Sequence, residues 1–182
     1  LHDALEEELD RFAVEVDVEM RMKGDSTYEE KRHAVLTFLA SHKTFGPRVA
    51  HILDKLSHRP WNTIDPDQKE VLYRTHIENS LHAPRSEQDS RPDPGVFYVK
   101  LCDFLNNTST IENITGAYDK RGVLRKTAEQ RKYELAHKWL GVIDIFATRL
   151  MDEDIRIQSE NKNSILQLIK ERKEYLATFQ KP

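Results

Sequence analysis

An all-α fold is what this sequence predicts, on three observations. Apolar residues recur at three- and four-residue steps in one segment after another. No run alternates apolar and polar residues as a half-buried strand does. Glycine and proline are scarce, 6 and 7 in 182 residues, so long helices can run uninterrupted. A chain of this length builds one well-packed domain with at most a small appendage. The expectation is a single helical bundle over residues 1–150 with long loop insertions. Residues 151–182 then form a C-terminal helical extension packed on its outside.

Each element has its own justification. Leu1, Leu5, Leu9, Phe12, Ala13, Val16 and Met20 keep helical steps, which predicts a helix to about Met22. Lys23-Gly24-Asp25 breaks it, and Ser26 with Glu29 has capping-box spacing. Val35, Leu36, Phe38 and Leu39 mark the next helix. Phe45-Gly46-Pro47 is a joint, with Pro47 suited to a first helical turn. Val49, Ile52, Leu53 and Leu56 then give a short amphipathic helix. Asp65-Pro66 reads as N-cap and first residue of a helix bearing Val71, Leu72 and Ile77. Residues 83–95, rich in Pro, Ser, Asp and Arg, predict an exposed, mobile loop. Residues 115–122 are a turn-rich connection. One long helix is expected from Thr127 to Leu150, with Tyr133, Ala136, Leu140, Ile143, Ala147 and Leu150 on its inner face. A last helix, Glu160 to Thr178, presents Ile165, Leu168, Ile169 and Leu176.

Composition excludes several classes. Charged residues reach 32% and the hydrophobic share is 38%, yet the strong periodicity argues against disorder. A net charge of −3 gives no footprint for nucleic acid. No apolar run can span a bilayer and no charged-then-apolar leader is visible, so no membrane is expected. The one cysteine, Cys102, cannot form an internal disulfide, which suits a reducing cytoplasm. The chain enters a helical pattern directly at Leu1 rather than Met, so a preceding segment is expected. The long polar helices suit a partner or a homo-oligomer.

The most informative stretch is Lys100-Leu101-Cys102-Asp103-Phe104-Leu105-Asn106-Asn107. Phe97, Leu101, Phe104 and Leu105 form an apolar face by helical spacing. Asp103, Asn107 and Thr110 follow the same spacing on a neighbouring polar stripe. A carboxylate, an amide and a hydroxyl one turn apart can serve a cation and a polar ligand; they can equally be a solvated face. His2-Asp3 pairs two metal-capable groups, an imidazole and a carboxylate suited to Zn, Fe or Mn. Glu6, Glu7 and Glu8 read either as a favourable first helical turn or as acids beside that pair. The other histidines read as surface or caps. Arg85, Arg91 and the His58-Arg59 pair can meet phosphate, although solvated loop charge explains them as well. Trp61 and Trp139 read as core or hinge anchors.

Leu1-His2-Asp3-Ala4-Leu5-Glu6-Glu7 resembles the His-Asp signature of HD-domain phosphohydrolases of the RelA/SpoT type, a branch that includes small alarmone hydrolases. Phe45 to Leu56 is similar to a second helix of that family. Val99 to Asn107 is similar to its later metal-binding motif, and Thr127 to Leu150 to the helix that follows. The resemblance covers about residues 1–150 and implies an all-α HD domain holding a divalent metal, most often Mn. Carried over, His2, Asp3 and Asp103 would be metal ligands. Glu6 and Glu7 would handle water and its proton, and Asn107 and Thr110 would contact substrate. The family's remaining ligand, a His on a preceding helix, would fall before Leu1. Metal binding needs His2 neutral, so activity is expected to fall in acid. The implied reaction is hydrolysis of a nucleotide phosphate or pyrophosphate, such as removal of the 3′-pyrophosphate from (p)ppGpp. This chain departs from the pattern at Glu7 (usually Asp), Phe104 (usually Arg) and Asn106 (usually His), and in two longer connections. Those departures suit an alternative, a non-catalytic helical interaction or regulatory module with a degenerate HD site.

Overall fold

The computed structural model describes residues 27–57, 68–118 and 121–182. The expected first helix, its break at residues 23–25 and the Asp65-Pro66 cap lie outside them. The chain divides into two compact units between Lys69 and Glu70. The described residues are mostly helical, with one small two-stranded sheet. Among them no helix is long and apolar enough to cross a membrane.

In the first unit, α1 (Tyr28–Ser41) packs on α2 (Gly46–Leu56). The capping box that opens α1 sits one residue beyond the expected pair. Thr27 Oγ1 accepts from Glu30 N at 3.3 Å, and the Glu30 carboxylate accepts from Thr27 N at 2.7 Å. Gly46 turns the chain between the helices with φ +71°, a left-handed conformation that side chains resist. Val35 and Leu39 then meet Ala50 and Leu53 in a small core. Arg32 ties the pair by donating to the Asp54 carbonyl at 2.6 Å and meeting its carboxylate at 2.8 Å. Burial pushes the Asp54 carboxyl upward, but the hydrogen bonds and charges of Lys55 and Arg32 outweigh it and hold it low.

The second unit takes up α3 (Lys69–Leu81) from its second residue and contains α4 (Pro94–Ser109), a 3-10 turn (Ile111–Asn113), β1 (Ala117–Tyr118) and β2 (Leu124–Lys126). It continues with α5 (Ala128–Leu140), α6 (Ile143–Leu150) and α7 (Ser159–Leu176). In α3 the buried stripe is Tyr73, Ile77 and Leu81, at strict four-residue spacing. Val71 and Leu72 are exposed, because they sit well round the helix from Ile77.

The expected single helix over residues 127–150 is two helices. Gly141 ends α5, its N–H donating to the His137 carbonyl at 3.1 Å, and Val142 takes φ −125° before α6 begins. Among the buried residues, Ala136, Trp139, Ile143, Phe146 and Leu150 keep three-four spacing straight through the break. That continuity hides the break from periodicity; Gly141 is its one sequence signal. Phe104 of α4 joins the two halves. It stacks on Phe146 at 4.9 Å and meets the Trp139 ring at 5.2 Å, while Trp139 meets Tyr73 edge-on at 6.0 Å.

The connection at residues 83–93, expected to be mobile, is pinned. An isolated bridge pairs Pro84 with Pro92, and Asp93 N donates to the Ala83 carbonyl at 2.8 Å. At its tip Arg91 grips Asp89 at 2.7 and 2.8 Å, and its hydrogen bonds hold that carboxyl down at about 2.

Arg149 is fully buried in this unit. Its Nε donates to the Leu81 carbonyl at 2.8 Å, closing the end of α3. Nη1 donates to Asp152 at 3.0 Å and to Asp154 at 2.6 Å, and Nη2 donates to the other Asp154 oxygen at 2.7 Å. These bonds keep the Asp154 carboxyl below its usual value. Replacing Arg149 with Met strands the Leu81 carbonyl and two partly exposed carboxylates and should cost about 1–3 kcal/mol, read by urea unfolding. Arg149→Lys should recover only part of that, because an ammonium cannot supply the planar fork.

α7 packs on α4, α5 and α6 through Ile169 and Leu176. Polar clamps hold its second half: Lys173 to Asp144 at 2.7 Å, and the Tyr175 hydroxyl donating to Glu112 at 2.6 Å. Burial, then the hydrogen bond and charge of Glu112, push the Tyr175 phenol up to about 12. A raised folded pKa favours the protonated phenol. The clamp's contribution is therefore complete below the unfolded value of about 10 and is lost as pH rises through 12. Titration of phenolate absorbance should place Tyr175 near 12, and Glu112→Gln should return it toward 10.

Candidate functional site

The site must be built from α4, which carries the most informative stretch. Asp93 caps it, its Oδ1 accepting from Gly95 N at 2.8 Å, and Pro94 occupies the first turn. Val96, Phe97, Leu101, Phe104 and Thr108 are buried, while Val99, Cys102 and Asn106 are exposed. Leu105, expected on the inner face, is half-buried.

Between the two faces runs the polar stripe. Asp103 is half-buried, and its Oδ1 accepts from Asn107 Nδ2 at 2.7 Å. Its Oδ2 lies 3.6 Å from Lys100 Nζ. Lys100 itself is buried, which its charge conceals in the sequence. One turn away on each side, α4 thus supplies an amide that orients the carboxylate and an ammonium that offsets its charge. Thr110 stands at the end of the helix. Its hydroxyl donates to the Asn106 carbonyl at 3.1 Å, with Asn107 O at 3.4 Å, so it serves as a terminator beside the stripe.

His2, Asp3, Glu6 and Glu7 lie outside the described residues. Among the described residues no three or more His, Cys, Asp or Glu side chains gather into a metal-holding group. Asp103 therefore enters as one carboxylate donor. Arg85 and Arg91 are both engaged inside their own connection, Arg85 Nε donating to the Pro92 carbonyl at 3.2 Å.

A separate open groove of about 670 Å³ runs between α3 and the α5–α6 break, lined by Arg74, Glu78, His82, Asp144 and Thr148 among others. Its charges are spent within the protein. Arg74 meets Glu78 at 3.1 Å and donates to the Gly141 carbonyl at 3.3 Å, and Asp144 is held by Lys173. The stripe on α4, with an oriented carboxylate beside a buried ammonium, is the stronger candidate.

Comparison of the chain with protein-family models, with curated proteins and with solved structures finds no match.

The coupling inside the stripe can be measured. Asp103→Ala leaves the Lys100 ammonium without its carboxylate and should cost about 1–3 kcal/mol in urea unfolding. Lys100→Met combined with Asp103→Ala should cost less than the sum of the single changes. A double-mutant cycle giving zero interaction energy would show the pair to be energetically silent.

Proposed function

We propose that this chain is an HD-type, metal-dependent phosphohydrolase of the RelA/SpoT branch. Its substrate is a nucleotide phosphate or pyrophosphate, in its specific form the 3′-pyrophosphate of (p)ppGpp. The observation that carries this reading is the Asp103 carboxylate, held by Asn107 on a helix whose other face is locked into the core. A ligating carboxylate needs such an outer hydrogen bond to fix its direction. The donor set fits a divalent ion: the His2 imidazole with the Asp3 and Asp103 carboxylates suits Mn, with Zn or Fe close behind.

When bound, the metal supplies Lewis acidity toward water and neutralises phosphate charge. The protein's own groups do the rest. Glu6 and Glu7 position the attacking water and accept its proton. Asn107 spends one N–H on Asp103; its second N–H and its carbonyl oxygen suit a nucleotide's polar edges. The Thr110 hydroxyl donates to the helix end and has lone pairs to offer a substrate donor. Lys100 offsets the Asp103 charge from within the helix.

A second reading rests on Phe104. Where the family has Arg, this chain has a fully buried ring stacked on Phe146, so that position serves packing. In this reading the chain is a helical interaction module with a degenerate HD site.

Elemental analysis after Mn loading separates the two. The wild type should hold about one Mn per chain, while Asp103→Asn and Asp103→Ala should lose it and keep their helical circular dichroism. Stoichiometric Mn retained in Asp103→Ala contradicts the enzymatic reading. A wild type that takes up no metal supports the module. A nucleotide panel with phosphate and pyrophosphate readouts then identifies the substrate.

A further inference from the structure

Two cationic side chains, Arg149 and Lys100, are buried among the described residues of the second unit. Arg149 is fully engaged, its guanidinium donating to one carbonyl and two carboxylates. Lys100 is not. It takes a core position of α4, on the same stripe as Val96, Phe97, Leu101 and Phe104, and its side chain is only 6% exposed. An ammonium carries three donors. Among the described residues that of Lys100 meets one charged group, Asp103 Oδ2 at 3.6 Å, which is beyond hydrogen-bond reach. A Met or Leu would fill the stripe without the cost of taking an ammonium out of water. Packing therefore does not explain the lysine; its place beside Asp103 does.

The surroundings of the Asp103 carboxylate are made by α4 alone. Asn107, one turn on, donates to Oδ1 at 2.7 Å, and Lys100, one turn back, faces Oδ2. Both ride on the same helix as the carboxylate, so helix geometry keeps them in place whatever else is bound. A carboxylate that serves a divalent ion is ordinarily left with its charge uncompensated when the ion leaves. Here a cation of the chain already stands at it. The amide only orients the oxygen it donates to, whereas the ammonium repels any second cation that comes to the same carboxylate. In a largely buried pair salt screens that repulsion little.

We propose that Lys100 is a resident counter-cation that competes with the metal for Asp103: it offsets the carboxylate when no ion is bound, and it lowers the affinity of the ion that comes. This rests on the metal reading of Asp103 given above, and adds to it the residue that sets how readily the ion exchanges. An ion that works against a fixed ammonium leaves more easily than its donor atoms alone would allow, and α4 keeps its charge balance when it does.

The test titrates the full chain with Mn(II) and follows the unbound ion by its electron paramagnetic resonance signal. Lys100→Met and Lys100→Gln remove the charge and keep most of the side chain, so the buried stripe stays filled. Each should bind Mn at least about tenfold more tightly than the wild type, at unchanged helical circular dichroism. The gain should persist at about 500 mM NaCl. Lys170→Met, which removes an exposed lysine of α7, should change the affinity by less than about twofold. Wild-type binding with no gain, or a fall, in the Lys100 variants overturns this inference alone and leaves the metal reading of Asp103 standing. An equal gain from Lys170→Met also overturns it, because the effect is then one of net charge. Mn taken up by neither the wild type nor the variants overturns both.

Discussion

A guanidinium cannot be shut away from water unless oxygen atoms come to it, and that requirement shapes the second unit. Arg149 reaches the end of α3 through the Leu81 carbonyl and the start of the final connection through Asp152 and Asp154. The Phe97 ring of α4 lies 5.8 Å from the same guanidinium. Three segments far apart in sequence must therefore converge on one side chain. The apolar residues around it, Phe146 and Leu150 on its own helix among them, could pack in other ways; the fixed geometry of the fork selects one.

Much of this architecture is legible in the sequence. Periodicity finds α1, α2, α4 and α7, the last with its bounds within two residues, and Pro and Gly mark the joints at Gly46 and Pro94. What escapes has physical reasons. The break at Gly141 escapes periodicity because Trp139, Ile143 and Phe146 keep the spacing of a continuous helix. The inward face of α3 is not marked by its apolar residues alone, because Val71 and Leu72 lie off the buried Tyr73–Ile77–Leu81 line. Arg149 hides because a charged residue reads as surface, although its place among Phe146 and Leu150, followed by Asp152 and Asp154, signals burial with partners. The β1–β2 ribbon escapes because strands of two and three residues are too short for an alternating pattern.

The candidate site divides along the same line. Asp103 and Asn107 stand out by spacing, and the structure joins them by a direct hydrogen bond. Lys100 does not stand out, because sequence gives no sign that an ammonium is drawn under Asp103. The remaining members of the expected centre, His2, Asp3, Glu6 and Glu7, lie outside the described residues. Their convergence with Asp103 rests on the resemblance to HD phosphohydrolases.

The pinched connection before α4 has a consequence for the evolution of the chain. Its two ends are fastened by the Pro84–Pro92 bridge and by Asp93, so the core meets the clasp and never the tip. Closing a longer excursion on the same clasp costs only about 0.6 kcal/mol for each doubling of its length. The segment is thus a natural place for lineages to differ in size, and for an inserted peptide to be carried without disturbing the helices beneath.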